Sequence, residues 1–135
     1  MTSSSNAPSI DIKDVLEDSS SGLGLSFGVN MFIGSMPNKP DNCICIYDYP
    51  GESQDLFGYE KPSVQVLVRN KNYETAWNLC KDIKYFLHDG FNNFIINQTR
   101  YIRIYSISDA LPLGMDESNR YKMSINFRTE RSGND

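Results

Sequence analysis

Apolar residues fall in two spacings along this chain, and their order predicts an architecture. Ile10, Val15 and Leu16, with Asp11 and Asp14 placed early, predict a short helix from Ile10 to Asp18, ended by Ser19, Ser20, Ser21 and Gly22. Leu25 and Phe27 between Gly24 and Gly28 suit a turn leading into a first strand, Val29 to Ile33, which Gly34, Pro37 and Pro40 break. Cys43 to Tyr49 is a second strand. It places Cys43, Cys45, Tyr47 and Tyr49 on one face and Ile44, Ile46 and Asp48 on the other. Both faces are largely apolar, which predicts a strand inside a sheet covered on both sides. Pro50 to Lys61 reads as a long loop carrying Leu56, Phe57 and Tyr59. Pro62 then opens a third strand to Arg69, with Val64, Val66 and Val68 on one face; proline is tolerated at a strand's first residue.

A helical stripe follows. Tyr73, Ala76, Trp77, Cys80, Ile83 and Leu87 recur at spacings of 3, 1, 3, 3 and 4, predicting a helix from Tyr73 to Asp89 laid across a sheet. Asn72 is its expected N-cap and Gly90 its left-handed stop. Short strands are expected at Phe94 to Ile96 and Tyr101 to Ile107, with a loop from Asp109 to Asn119. In the last strand, Tyr121 to Phe127, Tyr121, Met123, Ile125 and Phe127 point inward. Lys122, Ser124, Asn126 and Arg128 point outward, as one wet face. The order α-β-β-β-α-β-β-β predicts an α+β fold. Its sheet is largely antiparallel (mixed), of about five to six strands, with the long helix packed on it and a short N-terminal helix. Residues 1–9 are expected to be a disordered tail, 10–129 a single domain, and 130–135 a second disordered tail.

Composition narrows the class. The chain has 135 residues, enough for one core, and eight Tyr, seven Phe and one Trp to fill it. Thirteen basic against 17 acidic residues argue against a general nucleic-acid binder, which needs surplus Lys and Arg to displace counterions. No apolar run reaches the ~20 residues of a membrane span, and no basic segment precedes an apolar one at the N-terminus. Three cysteines are too few for a disulfide framework and suit a reducing cytosol. The expectation is a small, soluble, intracellular domain.

Candidate chemistry is thin. Cys43 and Cys45 share a strand face about 7 Å apart, whereas zinc knuckles hold their thiols on a tight turn. Cys80 lies in the apolar helix stripe, where a thiol packs as a small hydrophobe. His88, the single histidine, stands at a helix end without a Gly-x-Ser-x-Gly elbow to serve. Gly22, Gly24 and Gly28 lack the strand, the helix and the lysine of a phosphate loop and read as turn glycines. Carboxylates at Glu52, Asp55, Asp109, Asp116 and Glu117 have no EF-hand spacing. Tyr101, Arg103 and Tyr105 have the alternation of any half-exposed strand. No catalytic, cofactor-binding or metal residue is therefore expected, and an enzyme is the weaker reading. Leu56, Phe57 and Tyr59 on a long loop, with Lys122, Ser124, Asn126 and Arg128 on an outward strand face, point instead to an oligomer or partner interface. The alternative is that the three loop residues fold onto the chain's own core.

Four blocks carry a resemblance. They are Val29 to Pro37 (VNMFIGSMP), Pro40 to Gly51 (PDNCICIYDYPG), Tyr59 to Arg69 (YEKPSVQVLVR) with the helix after it, and Pro112 to Phe127 (PLGMDESNRYKMSINF). In order and spacing the chain, from about Ile10 to Thr129, resembles the phage minor capsid proteins and is similar to the tail terminator, or tail completion, proteins of long-tailed phages. The resemblance implies a hexameric ring of α/β subunits that ends the tail tube and faces the neck, with no cofactor and no catalytic residue. The implied partners are further copies of the chain, the tail tube protein and a neck or head-completion protein. DNA would pass through without sequence-specific binding, which a negative net charge suits. The implied location is the tail–neck junction of a virion assembled in the host bacterial cytoplasm. Competing readings are another head–tail connector, neck or tube subunit, or a small hydrolase using His88 or the loop carboxylates.

Overall fold

The computed structural model describes residues 6–52 and 59–132. Two helices pack on one face of a mixed seven-stranded sheet, an α+β arrangement. The elements are α1 (Pro8–Glu17), β1 (Met31–Ile33), β2 (Cys43–Glu52), β3 (Tyr59–Asn70), α2 (Tyr73–Leu87), β4 (Phe94–Ile96), β5 (Thr99–Ser106), β6 (Leu111–Met115) and β7 (Tyr121–Ser132). Strand order is β1-β2-β3-β7-β5-β4, with β6 also beside β7; β1 pairs parallel to β2 and every other pairing is antiparallel.

Several boundaries differ from the sequence reading, each for a local reason. Helix α1 starts at Pro8 because proline suits the first helical turn, and because Ser9 is fastened to the sheet. The Ser9 amide and hydroxyl donate to the Asp48 carboxylate at 2.9 and 2.6 Å. Asp18 does not extend the helix; it caps a single 3-10 turn, Ser19–Ser21. Both ends of the expected loop from Pro50 to Lys61 are strand, since β2 runs on to Glu52 and β3 begins at Tyr59. Pro62 thus sits inside β3. Its missing donor falls where the β2–β3 register slips, between the pairs Tyr49–Ser63 and Glu52–Lys61. The expected loop from Asp109 to Asn119 holds a seventh strand, β6. Strand β7 continues to Ser132, past the expected end at Phe127.

Helix α2 begins as expected, with the Asn72 side chain accepting from the Thr75 amide at 2.9 Å, and ends two residues early at Leu87. Its left-handed residue is Asp89, with φ of 57°. Gly90 has another function: a Cβ there would collide with the Phe86 carbonyl oxygen. Ala76, Cys80, Ile83 and Leu87 are buried, while Tyr73 and Trp77 stay partly exposed at the helix's first turns. With Ile12 and Leu16 of α1 they cover Ile44 and Ile46 of β2, Val64, Val66 and Val68 of β3, and Met123, Ile125 and Phe127 of β7. This is one continuous core, carried by the β-branched and long apolar side chains that alternate on a single sheet face.

Strand β7 is the centre of the sheet. One edge meets β3 along nearly its whole length, while the other is shared by β5 toward the C-terminal end and β6 toward the N-terminal end. The far edge of β5 is sealed by the segment after α2. There the Asp89 amide donates to the Ile104 carbonyl at 2.8 Å, and the Asn93 amide to Ile102 at 3.1 Å. Among the described residues β6 pairs with β7 alone, so its outer edge is bare.

Candidate functional site

The helix-free sheet face is the surface on which the sequence places its outward residues. The registers set it out in rows. Tyr49, Ser63 and Arg128 form one row, Tyr47, Gln65 and Asn126 the next, and Cys45, Leu67, Ser124 and Leu111 the third. Residues 34–42 fold over the β2 end of this face and are held by two buried arginines. Arg69 donates to the carbonyls of Pro37 and Pro40, both at 2.7 Å, and to Asp41 at 3.0 Å. Arg120 donates to the Asn38 carbonyl and, at 2.8 Å, to Asp116. A concavity of about 530 Å³ remains, lined in part by Tyr47, Leu67, Arg69, Arg120 and Lys122.

Lys122, Ser124, Asn126 and Arg128 do share this face, but it is not simply wet. Ser124 is 3% exposed and the other three are half-buried. The reason is that β7 has neighbours on both sides, so Leu67 and Leu111 flank Ser124 in its row. Tyr59, opposite Ser132 at the hairpin end of the sheet, is exposed; Leu56 and Phe57 lie outside the described residues. The Ser63 hydroxyl and the Asn126 Oδ1 are buried without a hydrogen-bond partner among the described residues.

Reactive groups are not assembled. His88 Nδ1 accepts from the Ser106 amide at 2.9 Å, so the ring fastens the end of α2 to β5. Cys43, Cys45 and Cys80 are buried and unpaired, and burial pushes all three thiols up, Cys80 to about 12. Burial likewise pushes the Tyr47 hydroxyl up to about 12. Among the described residues, no three His, Cys, Asp or Glu side chains are grouped to hold one ion. Gly22, Gly24 and Gly28 all have positive φ, as turn glycines do. No helix among the described residues is long and apolar enough to cross a membrane.

The model of a family described as bacteriophage tail terminator protein matches residues 10–132. The chain belongs to that family. Tail terminators of this family are structural proteins of the phage tail. A solved chain from the virion of a native gene transfer agent particle shares the fold of this tail terminator. It is 12% identical, with a TM-score of 0.71, over 94% of this chain and 97% of that one. Among curated proteins none matches it. What the sequence does not reveal in this tail terminator is its second set of surface groups. Phe27 and Val29 beside α1, Trp77 on α2, and Leu111, Leu113 and Met115 on β6 are all exposed. They lie on separate segments; only Trp77 carries a periodic signal, and its stripe predicts it facing the sheet, whereas it stays partly exposed at the start of α2.

Proposed function

We propose that this protein caps the phage tail tube as a homohexameric ring, ends its growth, and forms the tail side of the head–tail junction, without catalysis. The family match across residues 10–132 carries the reading. The helix-free sheet face, with its concavity between Tyr47, Arg69 and Lys122 and Tyr59 exposed at the hairpin end, supports an interface there. In this reading Lys122, Ser124, Asn126 and Arg128, with Leu56, Phe57 and Tyr59, form the oligomer and partner interface. The tube protein binds on one side and the neck or head-completion protein on the other. DNA crosses the lumen without sequence-specific contacts, and the protein resides at the tail–neck junction of a virion assembled in the bacterial cytoplasm.

The experiment adds purified protein to polymerised tail tubes and examines the tubes by electron microscopy. Annuli at one tube end and arrested elongation are expected. Decoration along the tube wall, or no binding, would overturn the reading. Phe57→Asp should reduce capping while leaving the melting temperature nearly unchanged; a large loss of stability would instead assign Phe57 to the core.

A further inference from the structure

Two surfaces that the reading above leaves unused complement one another. The first is an aromatic knob. Phe27 is 47% exposed. Its amide donates to Glu17 Oε2 at 2.8 Å, and Lys13 Nζ lies 5.0 Å from its ring centroid. Lys13 and Glu17, four residues apart on α1, both meet Phe27, and Ile10, Asp18 and Val29 are exposed nearby in the chain.

The second is a groove of about 230 Å³ between α2 and the segment entering β6. Trp77, Lys81 and Lys84 line it on the helix side and Asp109 and Ala110 on the other, over Cys80 and Ile125. Lys84 is engaged with Asp109 at 2.5 Å, whereas Lys81 is exposed and has no ion pair among the described residues. Beyond the groove lies the bare edge of β6, where Leu111, Leu113 and Met115 are 57%, 51% and 49% exposed. Edges of this kind are normally blunted by charge.

We propose that Phe27 of one copy seats in the Trp77–Ala110 groove of a second copy, with Glu17 of the first facing Lys81 of the second. The charges choose this occupant: Asp14, Glu17 and Asp18 outnumber Lys13 beside the knob and leave it net negative, while Lys81 and Lys84 outnumber Asp109 at the groove and leave it net positive. The positions choose the geometry. The knob lies beside β1, the first strand in the sheet order, and the groove lies past β7 on the β6 side. A contact joining opposite flanks is heterologous and repeats from copy to copy until it closes. The inference rests on the ring reading and names the contact that builds it.

The test is sedimentation velocity over a concentration series, with wild type, Phe27→Asp, Ala110→Asp and an equimolar mixture of the two variants. Each variant alone retains one working surface and should be monomeric. The mixture should form a dimer and nothing larger, since each dimer pairs an intact knob with an intact groove. Lys81→Glu, an exposed change, serves as a second groove variant and should raise the assembly midpoint about tenfold. Variants that assemble like an oligomeric wild type would overturn this contact and leave the ring reading standing. Monomers throughout, the mixture included, would also overturn it, and tube capping would then test the ring reading separately. Unfolding midpoints identify any variant that fails to fold.

Discussion

The Tyr101 hydroxyl donates a 2.5 Å hydrogen bond to Asp11 Oδ2, joining the first helix to the fifth strand inside the core. Arg131 completes the cluster. Its Nη1 donates to the Tyr101 oxygen at 3.0 Å and lies 3.5 Å from Asp11, while its Nε donates to Glu60 at 2.9 Å. Burial first, and then the Asp11 carboxylate, push the Tyr101 hydroxyl far above its usual range, so it remains a donor. Asp11→Ala should therefore cost about 3 kcal/mol, because it removes the buried one of two anions from a buried guanidinium and the acceptor of the Tyr101 hydroxyl. Tyr101→Phe removes one donor and should cost about 1–2 kcal/mol. Urea unfolding checks both; equal and negligible losses would show that the cluster is solvated.

Acid should weaken the fold in a defined window. Lys39 donates to Asp41, with Lys71 also close, and together they hold the Asp41 carboxyl at about 2, below its ordinary 3.8. Asp14, Asp89, Asp109 and Asp116 are shifted in the same direction. A carboxyl depressed on folding contributes stability above its unfolded value and loses it as pH falls through the folded one. The urea midpoint should thus be flat above about pH 5 and decline between 3.8 and about 2. Asp41→Asn should flatten part of that decline, and a midpoint that rises on acidification would contradict the assignment.

Gly90→Ala should destabilise by about 2 kcal/mol, since the new methyl meets the Phe86 carbonyl inside the exit of α2. Asn72→Ala at the opposite end removes a cap and should cost about 1 kcal/mol. Thermal melts of both variants rank them; Gly90→Ala as the milder change would mean the helix end relaxes freely.

The three thiols should resist modification in the native state. Each is buried, and burial disfavours the thiolate that reacts. Iodoacetamide at neutral pH should label none in the folded protein and all three after unfolding in urea. Rapid labelling of the native protein would reveal a local opening of β2 or α2.

Elements with a buried face were legible in the sequence. Val64, Val66 and Val68, and Met123, Ile125 and Phe127, alternate because one side of each strand meets the helices. Strand β6 was not legible: all five residues are exposed, and Pro112 and Gly114 interrupt them, so no face imprints a period. The hairpin of β2 and β3 was hidden by Pro50, Gly51 and Pro62, which a register slip accommodates. The start of α1 rests on Ser9 reaching Asp48 across 39 positions, a tertiary bond without local signature. At the surface, alternation correctly placed Lys122, Ser124, Asn126 and Arg128 on one face but not the burial of Ser124, which comes from neighbouring strands.

The central position of β7 bears on how the sheet is made. All its partners, β3, β5 and β6, precede it in the chain. On the ribosome each of them waits with an open edge until residues 121–132 emerge. Closure then requires pairings that reach back across the chain, a topology that folds slowly and exposes strand edges meanwhile. Amides of β3 and β5 that face β7 should therefore gain protection from exchange only once residues 121–132 are available, while those facing β2 and β4 can be protected earlier.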